Sequence, residues 1–412
     1  MSRVRGARRH LRIDRRRPYL FRVGLAATLL VGPTFVMAET PARAASGCPS
    51  PPAPARPVSA SPWPQQRYAP ERLTGLATGA GVTVAVVDSG VDRRHPQLAG
   101  RVLAGTDLLD AGGDGRLDCV GHGTGVASII AAAPRDGTSF RGLAPQARIL
   151  PVRVSEQQIV DGRGTGRTAA PEDLGRAVRW AVDRGVAVVN LSVVLYTDHP
   201  TVRAAVAYAV SRDVVVVAAA GNLSGGGAPR PYPASYEGVI GVGAIGADGV
   251  PADFSLPGSH VDLLAPGAGV LVAAPGQGHR SADGTSYAAP FVAATAALLR
   301  QYHPDLSAVQ VARRIIATAD PAPGSGHGAG VLNPYRAVTE TGPPPGRARA
   351  AATGLADHRP DPALLAQQDR RRDARHRALL LSGVGVSMMA AVVVLAAVLP
   401  RGIRRRWRPG RP

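Results

Sequence analysis

Val82-Thr-Val-Ala-Val-Val-Asp88-Ser-Gly90 is a run of six apolar or β-branched residues that ends in a carboxylate and a glycine. A strand with one face in water alternates apolar and polar residues. This one does not, so it reads as a strand buried on both faces, the habit of a parallel sheet. Similar runs follow at Ala147–Val154, Val186–Val189, Val214–Val217 and Val239–Gly243. Helical patterns alternate with them at Gly123–Ala133, Ala170–Asp183, Val202–Ser211 and Thr285–Gln301. The order predicts an α/β domain over residues 71–339, doubly wound, with a mainly parallel sheet flanked by helices and ligands at the carboxyl ends of the strands. About 270 residues is ample for one core, and no internal repeat interrupts it.

The ends of the chain are different in kind. Of the 412 residues, 48 are Arg and none is Lys, against 29 Asp and Glu, a net charge of +19. Residues 1–45 hold ten Arg and two acids, and residues 340–412 hold fourteen Arg and five acids. The 294 residues between are close to neutral, with 24 Arg and 22 acids. The excess charge therefore sits in the tails, which argues against nucleic acid as a partner of the central domain. Residues 1–44 read as a signal peptide: Arg-rich, then the apolar run Val23–Met37 broken by Gly32-Pro33, then Ala42-Arg43-Ala44 as a cleavage pattern. Residues 45–70 are rich in Pro and Ala and should run extended over a surface. Residues 340–378 form a Pro/Arg linker. Leu379–Leu399 is 21 residues without a charge, enough at ~1.5 Å per residue to cross a ~30 Å hydrocarbon layer as a transmembrane helix. Residues 400–412 are a basic tail. The signal peptide sets the orientation, with the body extracytoplasmic and the tail cytoplasmic. Two cysteines, Cys48 and Cys119, favour a disulfide in an exported chain, with two free thiols as the alternative.

Three motifs supply the parts of nucleophilic acyl transfer, which needs a hydroxyl, a base, and a carboxylate that orients the base. Asp88 ends the first buried strand. His122 stands between glycines in Gly121-His-Gly-Thr-Gly125 at the start of a helix, a setting that leaves its ring open to a cleft. Ser286, in Gly284-Thr-Ser-Tyr-Ala-Ala-Pro290, opens a strongly apolar helix whose positive end suits developing negative charge. Asn222, after the strand Val214–Val217, can donate a hydrogen bond to an oxyanion beside the Ser286 N–H. Taken singly, each has a plain structural reading as a cap or turn residue. His327, in Gly-His-Gly-Ala-Gly, lacks a following helix. The chemistry requires no cofactor, and no acidic cluster marks a metal site.

The order Asp, His, Ser and the stretches VAVVDSGVD, GHGTGVAS and GTSYAAPFVAATAALL resemble the aspartate, histidine and serine motifs of the subtilase family. Ile149–Arg153, Tyr232–Ile240 and Leu264–Gly267 also match its framework. A nearer resemblance is to the mycosins, membrane-anchored subtilases of type VII secretion. It rests on Trp63, on Gln66–Leu73, on a Cys three residues before His122, and on the C-terminal apolar segment. It implies a serine endopeptidase acting on protein or peptide substrates at the cell membrane, with secretion-complex components as partners. It also implies that the extension wraps the catalytic domain through a Cys48–Cys119 disulfide. A scaffold role in such a complex is the second reading. The ~35 residues between the cleavage pattern and the first strand are too few for a folded inhibitory pro-domain. By the same resemblance, Asn190-Leu-Ser192-Val193-Val194 stands in the place of the family's substrate-binding strand. Val194 stands where many subtilases have glycine, which should narrow the primary specificity pocket toward small side chains.

Overall fold

In the computed structural model the described residues are Cys48, 55–160, 163–222 and 229–341. The expected signal peptide, the transmembrane helix, the basic tail and the linker beyond residue 341 lie outside them. Among the described residues no helix is long and apolar enough to cross a membrane.

The elements in chain order are α1 (Trp63–Tyr68), α2 (Pro70–Thr74), β1 (Thr83–Asp88), β2 (Thr106–Asp107), α3 (His122–Ala131), β3 (Arg148–Arg153), β4 (Gln158–Val160) and β5 (Arg163–Thr165). They continue with α4 (Pro171–Asp183), β6 (Val188–Leu191), α5 (Pro200–Ser211), β7 (Val215–Ala219), β8 (Val239–Ile245), β9 (Leu263–Pro266), β10 (Val270–Ala273), β11 (His279–Ala282), α6 (Thr285–Tyr302), α7 (Ala308–Ala317) and α8 (Pro334–Thr339). Seven strands form one sheet in the order β2-β3-β1-β6-β7-β8-β9, and every pairing in it is parallel. The expected α/β architecture is present.

The period of two along the strands explains the unbroken apolar runs. Val84 and Val86 of β1, with Val215 and Val217 of β7, face the core that holds α3 and α6. Ala85 and Val87, with Val216 and Ala218, face the opposite core under α4 and α5. Both sets are apolar because both faces are covered. Asn190 is the polar exception in β6, fully buried between Val189 and Leu191. Strand order reverses at β1, which has β3 on one side and β6 on the other. A ligand crevice opens at such a switch point, and Asp88 ends that strand.

The extension before β1 differs in part from the expected extended chain. Residues 55–62 carry no helix, but Trp63–Tyr68 and Pro70–Thr74 do, each with proline in the first turn where its missing N–H costs nothing. The α2 helix spans the expected boundary at residue 70. Ala55 N–H donates to Gln277 O and His279 N–H to Arg56 O, both at 3.2 Å. Thr138 Oγ1 donates to Val58 O at 2.7 Å, and the Trp63 indole to Ala268 O at 3.1 Å. Cys48 and Cys119 are joined as a disulfide, with Cα atoms 5.2 Å apart.

His279 clamps this contact. Gln97 Nε2 donates to Ala133 O at 3.0 Å and Phe140 O at 2.8 Å, which leaves its Oε1 as an acceptor. His279 Nε2 therefore donates to Oε1 at 2.7 Å, and its Nδ1 accepts the Val58 N–H at 3.0 Å. Only the neutral ring can do both. Burial pushes its pKa down to about 4, helped by His95 beside it. The unfolded chain binds a proton near pH 6.5 that the native ring refuses, so stability should fall as pH drops from about 6.5 to 4, by on the order of 3 kcal/mol. His279→Asn keeps an acceptor for Val58 and should lose most of this dependence, as read by urea unfolding at pH 7 and pH 4.5.

Candidate active site

Three chain segments meet at the carboxyl end of β1. Asp88 brings its carboxylate there from the strand, 3% exposed. Helix α3 starts at His122 after Gly121, whose φ of 82° supplies the left-handed turn into the helix. Gly123 lets that start approach β1: a Cβ there would overlap Gly90 O and stand 3.1 Å from Asp88 Oδ1. Helix α6 brings Ser286 from the opposite side, buried along Thr285–Leu299.

The three side chains form a continuous line. Ser286 Oγ donates to His122 Nε2 at 2.9 Å, and His122 Nδ1 donates to Asp88 Oδ1 at 2.7 Å. The Ser89 N–H also donates to Asp88 Oδ1, at 2.6 Å. Behind them lies Asp118, a residue the sequence reading did not single out. Its buried carboxylate accepts Ser89 Oγ at 2.9 Å, Gly121 N–H at 2.7 Å, Thr124 N–H at 2.8 Å and Thr124 Oγ1 at 2.6 Å. Ser89 Oγ in turn accepts the Gly123 N–H at 2.9 Å. Asp118 thus ties the first turn of α3 to the end of β1.

Burial alone would push the His122 pKa down. The charge and hydrogen bond of Asp88, with Asp118 behind, overcome it and hold the imidazole above its ordinary value, while Arg280 opposes them. Burial likewise raises the Asp118 carboxyl, against the hydrogen bonds it accepts.

Asn222 stands beside the serine in a fixed orientation. Its Oδ1 accepts the Thr285 N–H at 2.9 Å and Thr285 Oγ1 at 2.8 Å, so the amide nitrogen faces the other way. A Cβ placed at Gly284 would lie 2.9 Å from Ser286 Oγ and 3.3 Å from Asn222 Nδ2, so both atoms border the same small space. Thr285 is a further orienting residue; its hydroxyl also accepts the Gly221 N–H at 3.1 Å.

Ser192, expected to bind substrate, also has a partner within the helix start. Pro290 has no N–H to offer the carbonyl of Ser286, four residues earlier. Ser192 Oγ donates to that carbonyl at 3.0 Å and accepts Asn190 Nδ2 at 2.9 Å. The buried Asn190 of β6 thereby has its use.

Val193 packs with Leu195 against the core under α4 and α5. Leu195 and Tyr232 exchange both backbone hydrogen bonds, at 2.7 Å each. In extended chain alternate residues share a face, which puts Val194 and Tyr196 opposite Leu195. A Cβ built on Gly221 would meet Tyr196 Oη at 3.5 Å, Pro231 Cβ at 3.6 Å and Val194 Cγ1 at 3.8 Å. Tyr196, missed in the sequence, therefore borders Gly221 together with Val194. Among the described residues no cluster of His, Cys, Asp and Glu could hold a metal ion.

The profile of the subtilase family, Peptidase S8, matches residues 79–347. Mycosin-1 of Mycobacterium tuberculosis (strain ATCC 25618 / H37Rv) is 35% identical, with 84% of this chain and 86% of that protein covered. Thermitase of Thermoactinomyces vulgaris is 38% identical, over 67% of this chain and 94% of that protein. Among solved structures, MycP1 from the ESX-1 type VII secretion system superposes with a TM-score of 0.60 at 31% identity, covering 72% of this chain and 91% of that one.

Losing the Asn222 amide or its orientation should be felt in turnover. Asn222→Ala is expected to lower kcat by about 10²–10³ with KM little changed. Thr285→Val, which removes the hydroxyl but keeps the backbone N–H that also holds Asn222 Oδ1, should lower kcat less. Steady-state kinetics on a peptide ester would compare the two.

Proposed function

Since the chain belongs to the subtilase family and is a serine endopeptidase, we propose that Ser286, His122 and Asp88 perform the hydrolysis. The carrying observation is the unbroken line from Ser286 Oγ through His122 to Asp88, with links of 2.9 and 2.7 Å. Ser286 Oγ attacks the peptide carbonyl as His122 Nε2 takes its proton. The imidazolium then protonates the leaving amine, which departs and leaves an acyl-enzyme. Water enters, gives its proton to the same nitrogen and releases the acid. Asp88 holds the tautomer with the proton on Nδ1 and stabilises the imidazolium. The Ser286 N–H at the start of α6 and Asn222 Nδ2 receive the oxyanion. No step calls for a cofactor.

Specificity in this reading is narrow. Val194 and Tyr196, near Gly221, leave room for a small side chain before the scissile bond. In a peptide library cleaved by the full-length protein, Ala, Ser or Gly should dominate that position. The double variant Val194→Gly, Tyr196→Ala should raise cleavage after Phe or Leu by about tenfold or more, since each buried methylene is worth roughly 0.8 kcal/mol. Strong cleavage after Phe by the wild type would overturn it.

The physiological setting is that of a mycosin. The extension on the domain surface, the Cys48–Cys119 disulfide and the likeness to mycosins support a role in type VII secretion. In that role the segment 379–399 anchors the domain on the outer membrane face, with the basic tail inside. Secretion-complex components are the partners. A scaffold function gives a different outcome for one variant. If proteolysis is the main role, Ser286→Ala abolishes secretion of the dependent substrates; a scaffold would leave secretion intact in Ser286→Ala and lose it only on deletion.

A further inference from the structure

Arg280 lies on β11 and belongs to none of the motifs above. One guanidinium nitrogen, Nη2, donates to Gly121 O at 3.1 Å and to Tyr287 Oη at 2.9 Å. Gly121 is the residue before His122, and Tyr287 is the residue after Ser286. A single cation thus joins the chain segment of the base to that of the nucleophile. The guanidinium also stands 5.8 Å from the centre of the Tyr287 ring, and that ring is 4.9 Å from the His122 ring. Among the described residues no carboxylate lies within ion-pair distance of Arg280, so its charge is set against neutral acceptors.

The charges facing His122 fall into two groups. Asp88 from β1 and Asp118 from the turn before α3 favour the imidazolium, and Arg280 from β11 disfavours it. The α6 side presents the uncharged Ser286 and Tyr287. Two carboxylates acting alone would keep the ring protonated further up the pH scale, and an imidazolium cannot accept the serine proton. A cation behind Tyr287 restores the balance while it holds the two segments in register.

We infer that Arg280 is a positioning residue for the hydrolytic reaction, which clamps the His122 segment to the Ser286 segment and, by its charge, keeps His122 free to act as a base near neutral pH. The inference rests on His122 being the base that activates Ser286.

The test uses the full-length protein and the rate at which a fluorophosphonate probe labels Ser286, measured against pH. The wild type should show one acid limb, as His122 loses its proton, and a plateau above it. Arg280→Gln removes the charge and should move the limb upward by on the order of half a pH unit. Arg280→Lys keeps the charge on a side chain one bond shorter than the one that sets Nη2 on both acceptors, so the limb should stay while the plateau falls about tenfold. Tyr287→Phe removes one anchor and should behave like Arg280→Lys. A wild-type limb in Arg280→Gln overturns the electrostatic part. Full plateau rates in Arg280→Lys and Tyr287→Phe overturn the clamp, and these two variants decide it even if Arg280→Gln does not fold. A wild type that labels without any acid limb would instead overturn the assignment of His122, which separates the two failures.

Discussion

Helix α6 is buried around its whole circumference over Thr285–Leu299, and that burial governs everything at its start. The first turn of a helix leaves backbone N–H groups without intrahelical partners, and water is not there to satisfy them. The Thr285 N–H goes to Asn222 Oδ1, which fixes that amide. Pro290 adds a defect of its own by orphaning the Ser286 carbonyl, and Ser192, the residue after β6, repairs it. An uncompensated buried carbonyl would cost roughly 1–3 kcal/mol. The contacts that stabilise the helix start therefore also hold Ser286 and Asn222 in place. Stability and geometry at Ser286 come from one set of hydrogen bonds.

The same economy applies to α3. Asp118 is buried and raised in pKa by that burial, yet it accepts five hydrogen bonds from Ser89, Val120, Gly121 and Thr124. A carboxylate with so many donors is costly to bury but rigidly placed. It caps the helix that carries His122 and leaves Asp88 to the imidazole. Cys119 follows Asp118 directly, so the disulfide to Cys48 is attached to this turn. The extension is thereby tied to both sides of the site, at Cys119 and at the β10–β11 hairpin that carries Arg280.

Much of this could be read in the sequence. Buried parallel strands have to be apolar on both faces, so Val82–Val87 and Val214–Val217 announce the sheet, and the glycines around His122 announce close approach. The elements missed had signals of their own. Ser307 and Gln310 form a capping box at the start of α7, and Asn333-Pro334 is a cap followed by a first-turn proline at α8. The α1 helix was hidden by composition, because proline-rich sequence reads as extended chain although proline is at home in a first turn. The residues around the site were hidden for a stronger reason. Tyr196 reaches Gly221 only because Leu195 pairs with Tyr232, 37 residues on. Arg280 looks like any solvated strand cation until the fold brings it to Gly121 and Tyr287. Pairings of that kind are fixed by the tertiary fold and leave no local pattern.

Selectivity and catalysis draw on neighbouring but separate parts of this frame. In the specificity proposed above, Val194 and Tyr196 limit what can enter, while Ser192 of the same segment supports the Ser286 carbonyl. Both duties fall on one side of the segment, because residues two apart share a face, but they have different partners: Ser192 Oγ meets Asn190 and the Ser286 carbonyl, whereas Val194 and Tyr196 border Gly221. Changing the wall at 194 or 196 leaves the two hydrogen-bond partners of Ser192 in place. Proline at Leu195 or Tyr232 would disturb both, since it would remove one of the paired backbone hydrogen bonds that set the register of the segment. A wall that narrows the pocket can thus evolve without loss of the nucleophile's support, provided the Leu195–Tyr232 pair is kept. This is the physical basis on which a general hydrolytic site can become selective for small residues.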